Sequence, residues 1–132
     1  MSFVSQHNGK RPFDIINING KDQILLPDHC IQNTKGAELS EKLDLGKIKG
    51  NSYIFKKGIN PNINSYSAFY DDERNSTGLF EFLSKKNAEE LFIVGLSFDY
   101  FISNTIIDAS ILGFDTHIIE NAIRPSWELK KN

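Results

Sequence analysis

The chain has 132 residues, 39% of them hydrophobic and 24% charged, and 15 basic against 17 acidic side chains leave a formal charge of −2 at pH 7. That balance is ordinary for one globular domain and makes no electrostatic case for nucleic acid or an anionic membrane surface. No apolar run approaches the roughly 20 residues of a membrane span, the N-terminus lacks a signal-peptide apolar stretch, and the single cysteine, Cys30, excludes an internal disulfide, so a cytoplasmic location is expected.

Residues 1–40 are rich in Asn, Gly, Asp, Lys and Pro, with short apolar pieces only at 13–18 and 24–26, and most of this stretch is expected to be loop. Ser52-Tyr53-Ile54-Phe55 is a β-branched and aromatic run that predicts a strand ending at Lys56-Lys57-Gly58. A long polar loop is expected over 59–75. Thr77 can cap a helix whose apolar residues Leu79, Phe80, Phe82 and Leu83 recur at helical spacing, with Lys85 and Lys86 near the negative end of its dipole.

The apolar run at 91–95 predicts a strand. After it, Phe101, Ile102, Thr105, Ile106, Ala109 and Leu112 recur at intervals of one, three and four, and Gly113 suits the residue just past a helix end. A last strand is predicted over 116–119. Helix, strand, helix and strand in alternation over 77–119 indicate an α/β unit with parallel strands. The organisation expected is one partial domain over 1–132, loop-rich in 1–50, with an α/β core over 51–123.

The segment from Leu91 to Phe101 reads as a strand feeding a helix. The first turn of such a helix presents unpaired N–H groups and the positive end of the macrodipole, which activate a thiol and stabilise oxyanions. Phe101 stands in that turn, and a phenyl ring can use neither effect.

Four segments carry a family resemblance. Leu26-Pro27-Asp28-His29-Cys30, followed by Gly36-Ala37, closely resembles a nicotinamidase/pyrazinamidase pattern within the isochorismatase-like hydrolases, in which a Trp-Pro-x-His-Cys stretch precedes a Gly-Ala pair. Lys57-Gly58, Pro61 and Ser65-Tyr66-Ser67-Ala68-Phe69 resemble the loop after the family's catalytic lysine. Gly95-Leu96-Ser97-Phe98-Asp99-Tyr100 resembles the turn before its nucleophile, and Ile119-Glu120-Asn121-Ala122-Ile123-Arg124 a following strand end. The likeness runs in order over about residues 2–125.

The resemblance implies a doubly wound parallel sheet and hydrolysis of nicotinamide to nicotinate, a step of pyridine nucleotide salvage. In that chemistry a cysteine attacks the carboxamide, an aspartate from the first strand moves the proton, a lysine assists, and backbone N–H groups hold the oxyanion. A divalent metal, zinc, iron or manganese, orients the substrate ring.

Transferred to this chain by that resemblance, Lys57 takes the lysine position and Phe101 the nucleophile position, while Ser97 and Phe101 form the oxyanion turn. Leu26, in place of tryptophan, and Tyr66 fall at the substrate pocket. His29 is the single remaining metal-ligand position, so no cofactor is expected; His7 and His117 read as ordinary surface or partly packed histidines. Cys30 neighbours the ligand position rather than the nucleophile, and a buried, inert thiol is expected. The resemblance places a cis peptide at Leu96–Ser97, while a chain with no acyl-enzyme to stabilise is equally compatible with a trans bond there.

The first strand with its aspartate and the second strand, central in a three-two-one-four-five-six order, have no counterpart ahead of residue 26, and 127–132 end the chain before a sixth strand. The expected fold thus lacks the first two and last strands. Two function classes remain. One is a truncated, inactive relative or non-catalytic interaction remnant, binding a nicotinamide-like molecule by family and pairing as a homo-oligomer or with a complementing chain. The other is an active hydrolase of this superfamily whose missing segments come from another chain, the isochorismatase branch having no need of the cysteine.

Overall fold

A computed structural model describes residues 2–47 and 50–126, which fall in two compact units, Met1–Ile63 and Asn64–Asn132. The chain is α/β in its second unit. Residues 127–132, where a sixth strand was expected to be lacking, lie outside the described residues.

The first unit is built on an antiparallel hairpin of β1 (Ile15–Ile18) and β2 (Lys21–Ile24), with Ile15 opposite Ile24 and Ile18 opposite Lys21. Most of 1–40 is loop as expected, and the two short apolar pieces fall in or beside this hairpin. Its two-residue turn, Asn19-Gly20, has φ of 54° and 83°, the left-handed pair that a hairpin of matching twist requires. Asn17 supports it twice: its side-chain amide donates to Asp22 Oδ1 (2.9 Å), and its carbonyl oxygen accepts the Gly20 N–H (3.0 Å). Beyond the hairpin, Leu25 and Leu26 are buried, and Leu26 is pinned to the N-terminal segment by Val4 N–H to Leu26 O and Leu26 N–H to Ser2 O, both 3.0 Å.

The strand predicted at 52–55 does not form. Tyr53, Ile54 and Phe55 are 51%, 65% and 38% exposed, and among the described residues no strand lies alongside them. An apolar run becomes a strand only when a neighbour completes its ladder, so composition alone misleads here.

In the second unit, α1 (Leu79–Lys85), β3 (Glu90–Leu96), α2 (Ser103–Ile111) and β4 (Asp115–Arg124) follow the predicted alternation, and β3 and β4 pair in parallel across α2. Gly78 occupies the cap position of α1, yet Thr77 Oγ1 accepts the Leu79 N–H (3.3 Å) and Ser76 Oγ the Gly78 N–H (3.0 Å), so Thr77 does serve the first turn. Gly113, at φ 92°, ends α2 where predicted.

The loop at 64–77 is polar in sequence, yet its first half turns inward, with Asn64, Ser65, Ser67 and Phe69 buried while 72–76 are exposed. Several of its polar groups are satisfied locally: Asp72 N–H donates to Asn64 O (2.9 Å), Thr77 N–H to Phe69 O (2.9 Å) and Thr77 Oγ1 to Ala68 O (2.7 Å). Phe69 stacks on Phe114 (6.0 Å between centroids), which meets Phe80 edge-on (6.1 Å). Arg74 closes the loop onto α2 through Nη1 to Asp108 Oδ1 at 2.7 Å, giving that buried carboxylate a cationic partner.

Replacing Gly20 with Ala should cost about 1 kcal/mol in a denaturant melt, because a Cβ is strained at φ 83°. Amide exchange at Asn17 and Asp22 should rise in the same variant, while exchange in β3 stays unchanged.

Candidate active site

The carboxyl end of β3 launches the region that sequence reasoning singled out. The ladder runs regularly from Glu90 opposite Asp115 to Ile93 opposite Ile118, then jumps so that Gly95 faces Ile123 and Leu96 faces Arg124. Gly95 sits at this break with φ 129°, and a Cβ there would lie 3.3 Å from Ile102 Cδ1. Both the torsion and the close approach call for glycine.

The Leu96–Ser97 peptide is cis, and Ser97 is buried. One π-helical turn, Phe98–Ile102, follows and runs into α2. Ser97 O accepts two amides, from Phe101 (2.9 Å) and Ile102 (3.1 Å). The Phe101 N–H, the group that the resemblance assigns to an oxyanion, is therefore engaged with its own turn.

The turn is further tied by Asp99, which accepts the Ser126 N–H at 2.8 Å and the Ser126 hydroxyl. Slight burial would raise the Asp99 pKa, but the Ser126 hydroxyl and N–H, its own N–H and the Ser97 hydroxyl outweigh that and hold the carboxyl below its usual range.

Phe101 is half-buried, and its ring packs on Tyr66 (6.2 Å, 30°) while Tyr100 lies 6.3 Å from the same tyrosine. The nucleophile and pocket positions, Phe101 and Tyr66, are thus brought together as touching aromatic rings. Burial, with the Asp72 carboxylate and the Tyr100 hydroxyl, raises the Tyr66 phenol above its ordinary pKa, keeping it protonated at neutral pH. Thr105 locks the pair in place: Oγ1 donates to Phe101 O (2.7 Å) and accepts the Ala68 N–H (3.0 Å), joining the loop that carries Tyr66 to the helix behind Phe101.

Leu26, His29 and Lys57 belong to the first unit. Leu26 is a core residue, 6% exposed, and Lys57 is half-buried. His29 is exposed, with Nδ1 2.6 Å from Pro27 O and its ring edge-on to Phe3 at 5.0 Å. Among the described residues it belongs to no group of three potential ligands, so the residues present here do not make up the family's metal set. Cys30 is exposed at φ 47°, against the expectation of a buried thiol; the tight turn after His29 directs it outward.

Residues 3–126 match the Isochorismatase domain. The chain is 41% identical over 125 residues to the nicotinamidase of Acinetobacter baylyi, an alignment covering 94% of this chain and 57% of that protein. Among solved structures, an Acinetobacter baumanii nicotinamidase/pyrazinamidase superposes with a TM-score of 0.83 at 34% identity, covering 99% of this chain and 64% of that one. A yeast nicotinamidase bound to the inhibitor nicotinaldehyde gives 0.83 at 28% identity, covering 95% and 62%.

The second unit is thus an α/β unit whose parallel strand pair breaks at a glycine just before the turn into α2. The chain belongs to the isochorismatase-domain family, with nicotinamidases among its relatives. It spans less than two thirds of the length of the relatives it matches.

Sequence reasoning overlooked Thr105, which it counted only as an apolar-face position, and His117, which it read as an ordinary histidine. The spacing Asp115-x-His117 at a strand start was the available signal, since residues two apart share a face. Thr105→Val should destabilise the second unit by about 1 kcal/mol, because the part-buried Ala68 N–H loses its acceptor while shape is kept. Denaturant melts would measure it, and the near-ultraviolet tyrosine signal should weaken in parallel.

Proposed function

We propose that this chain is a nicotinamidase-type member of its family that does not hydrolyse carboxamides. The observation that carries the reading is Phe101 at the nucleophile position, with its ring against Tyr66. A benzyl side chain has no lone pair with which to attack a carbonyl, and its bulk occupies space a flat pyridine ring would need. The turn amide at Phe101, bonded to Ser97 O, adds to the case against oxyanion stabilisation.

On this reading the correspondence with the family is one of sequence position: Lys57 at the assisting lysine, Ser97 and Phe101 at the oxyanion turn, Leu26 and Tyr66 each at a pocket position, and His29 at one ligand position of the metal set. The ligand chemistry remains that of a pyridine carboxamide, in keeping with the relatives' names, and the setting is cytoplasmic pyridine nucleotide salvage. No helix among the described residues is long and apolar enough to cross a membrane. Purified protein incubated with nicotinamide should release nicotinate and ammonia no faster than the uncatalysed background, and mass spectrometry should find no pyridine-3-carbonyl adduct. Turnover or an adduct on any side chain would overturn the reading.

A second reading rests on β3. This strand pairs with β4 and, among the described residues, with no strand along its other edge, while Phe92, Val94 and Leu96 are 61%, 48% and 57% exposed. Parallel strands are ordinarily covered on both faces, and an open apolar edge recruits another chain. The role would then be that of one part of a complemented assembly or homo-oligomer. Sedimentation should show self-association that charged substitutions at Val94 and Leu96 abolish; a monomer at every concentration, with or without those changes, would count against it.

A further inference from the structure

We infer that Glu90, Asp115 and His117 form a divalent-cation site at the amino-terminal end of the β3–β4 ladder, suited to a first-row ion of the zinc class. The inference is independent of the carboxamide reading, since it uses none of the residues placed in that site. Its basis is the strand register. Glu90 pairs with Asp115 and Phe92 with His117, and side chains two apart on a strand project from one face, so all four stand together.

His117 Nε2 lies 2.9 Å from Glu90 Oε1 and 3.5 Å from Asp115 Oδ1, and one donor atom from each residue falls within 4.8 Å of the others. Around a single zinc-class ion, with bonds of about 2.0–2.2 Å, neighbouring ligand atoms are separated by about 2.9–3.5 Å. The two spacings from Nε2 fall in that range, and the two carboxylates approach each other within 4.8 Å, a gap that rotation of their exposed side chains can close.

The state of Nε2 is a second, independent observation. The atom is shielded from solvent and has no hydrogen bond, although a carboxylate oxygen is 2.9 Å away, so the contact is close without being aligned for a shared proton. A shielded ring nitrogen facing two carboxylates without such a bond is arranged as a donor set.

Phe92 fixes the imidazole plane by stacking on it at 4.8 Å and 19°, limiting the reorganisation on binding. A neutral imidazole with two carboxylates carries charge −2, which a divalent ion cancels. The mixed nitrogen and oxygen set favours zinc-class ions over calcium or magnesium. Three protein ligands leave a position for water, as in sites that are open to exogenous ligands. Glu90 and Asp115 are exposed, so an ion can reach the site.

The competing arrangement, a protonated His117 paired with both carboxylates, uses the same distances but binds no metal. The untagged full chain, stripped with chelator, should bind zinc saturably at one ion per chain by calorimetry, and cobalt(II) should give visible absorption bands of a low-coordinate site. His117→Ala should abolish saturable binding; Glu90→Gln and Asp115→Asn should each weaken it by about tenfold or more. A His29→Ala, Cys30→Ser variant should bind as the parent does.

Absence of saturable binding in the parent, binding that survives His117→Ala, or binding lost with His29 and Cys30 would each overturn the site. If His117→Ala fails to fold, the Glu90→Gln, Asp115→Asn double variant, changed only at exposed positions, carries the same test: parent-like zinc affinity would sink the inference.

Discussion

The parallel ladder between β3 and β4 is the constraint on which the second unit depends. It sets the register that places Glu90 beside Asp115 at one end, and at the other it breaks at Gly95 to release the turn that carries Phe101. Parallel strands cannot be joined by a tight turn; they need a crossover, and the π-helical turn with α2 supplies it, burying Ile102 and Ala109. The chemistry proposed for either end therefore follows from one pairing and its single irregularity.

Around that ladder the molecule satisfies its polar groups with unusual economy of distance. The 64–77 loop contains Asn, Ser and Tyr where a hydrophobic core would be conventional, and it is stable in that place because several of its amides and hydroxyls find partners within the loop and on α2. Arg74 with Asp108, and Thr105 with Ala68 and Phe101, make the loop and helix one body. Tyr66 is held against Phe101 by these bonds as much as by ring contact. On the proposed reading, the same scaffold that would orient a substrate beside a nucleophile instead orients two aromatic rings against each other.

Legibility in the sequence varied with how local the determining physics was. The alternation of α1, β3, α2 and β4 was readable because apolar spacing and the terminal Gly113 act within a few residues. The β1–β2 hairpin was equally readable, since Asn19-Gly20 between short apolar runs is a strong turn signal, but within a stretch expected to be mostly loop it was not singled out. The 52–55 run failed in the opposite sense: it has strand-forming residues but no ladder partner among the described residues. Cys30 was misjudged because general burial of thiols says nothing about a turn residue at φ 47°. Leu26, His29, Lys57, Tyr66, Ser97 and Phe101 were found through motif likeness, not through spacing, and Thr105 and His117 escaped because their roles depend on residues far away in the chain.

The order of covalent groups alone determined that no thiol stands at position 101, that one cysteine allows no internal disulfide, and that the second half alternates helix and strand; these are matters of side-chain identity and local periodicity. Tertiary structure alone decided that the first half of a polar loop would be buried, that Phe101 would rest on Tyr66, and that Glu90, separated by a strand and a helix from Asp115 and His117, would share a face with them. Those outcomes arise from strand register and hydrogen bonds between distant segments, and neither quantity is encoded in any short window of the chain.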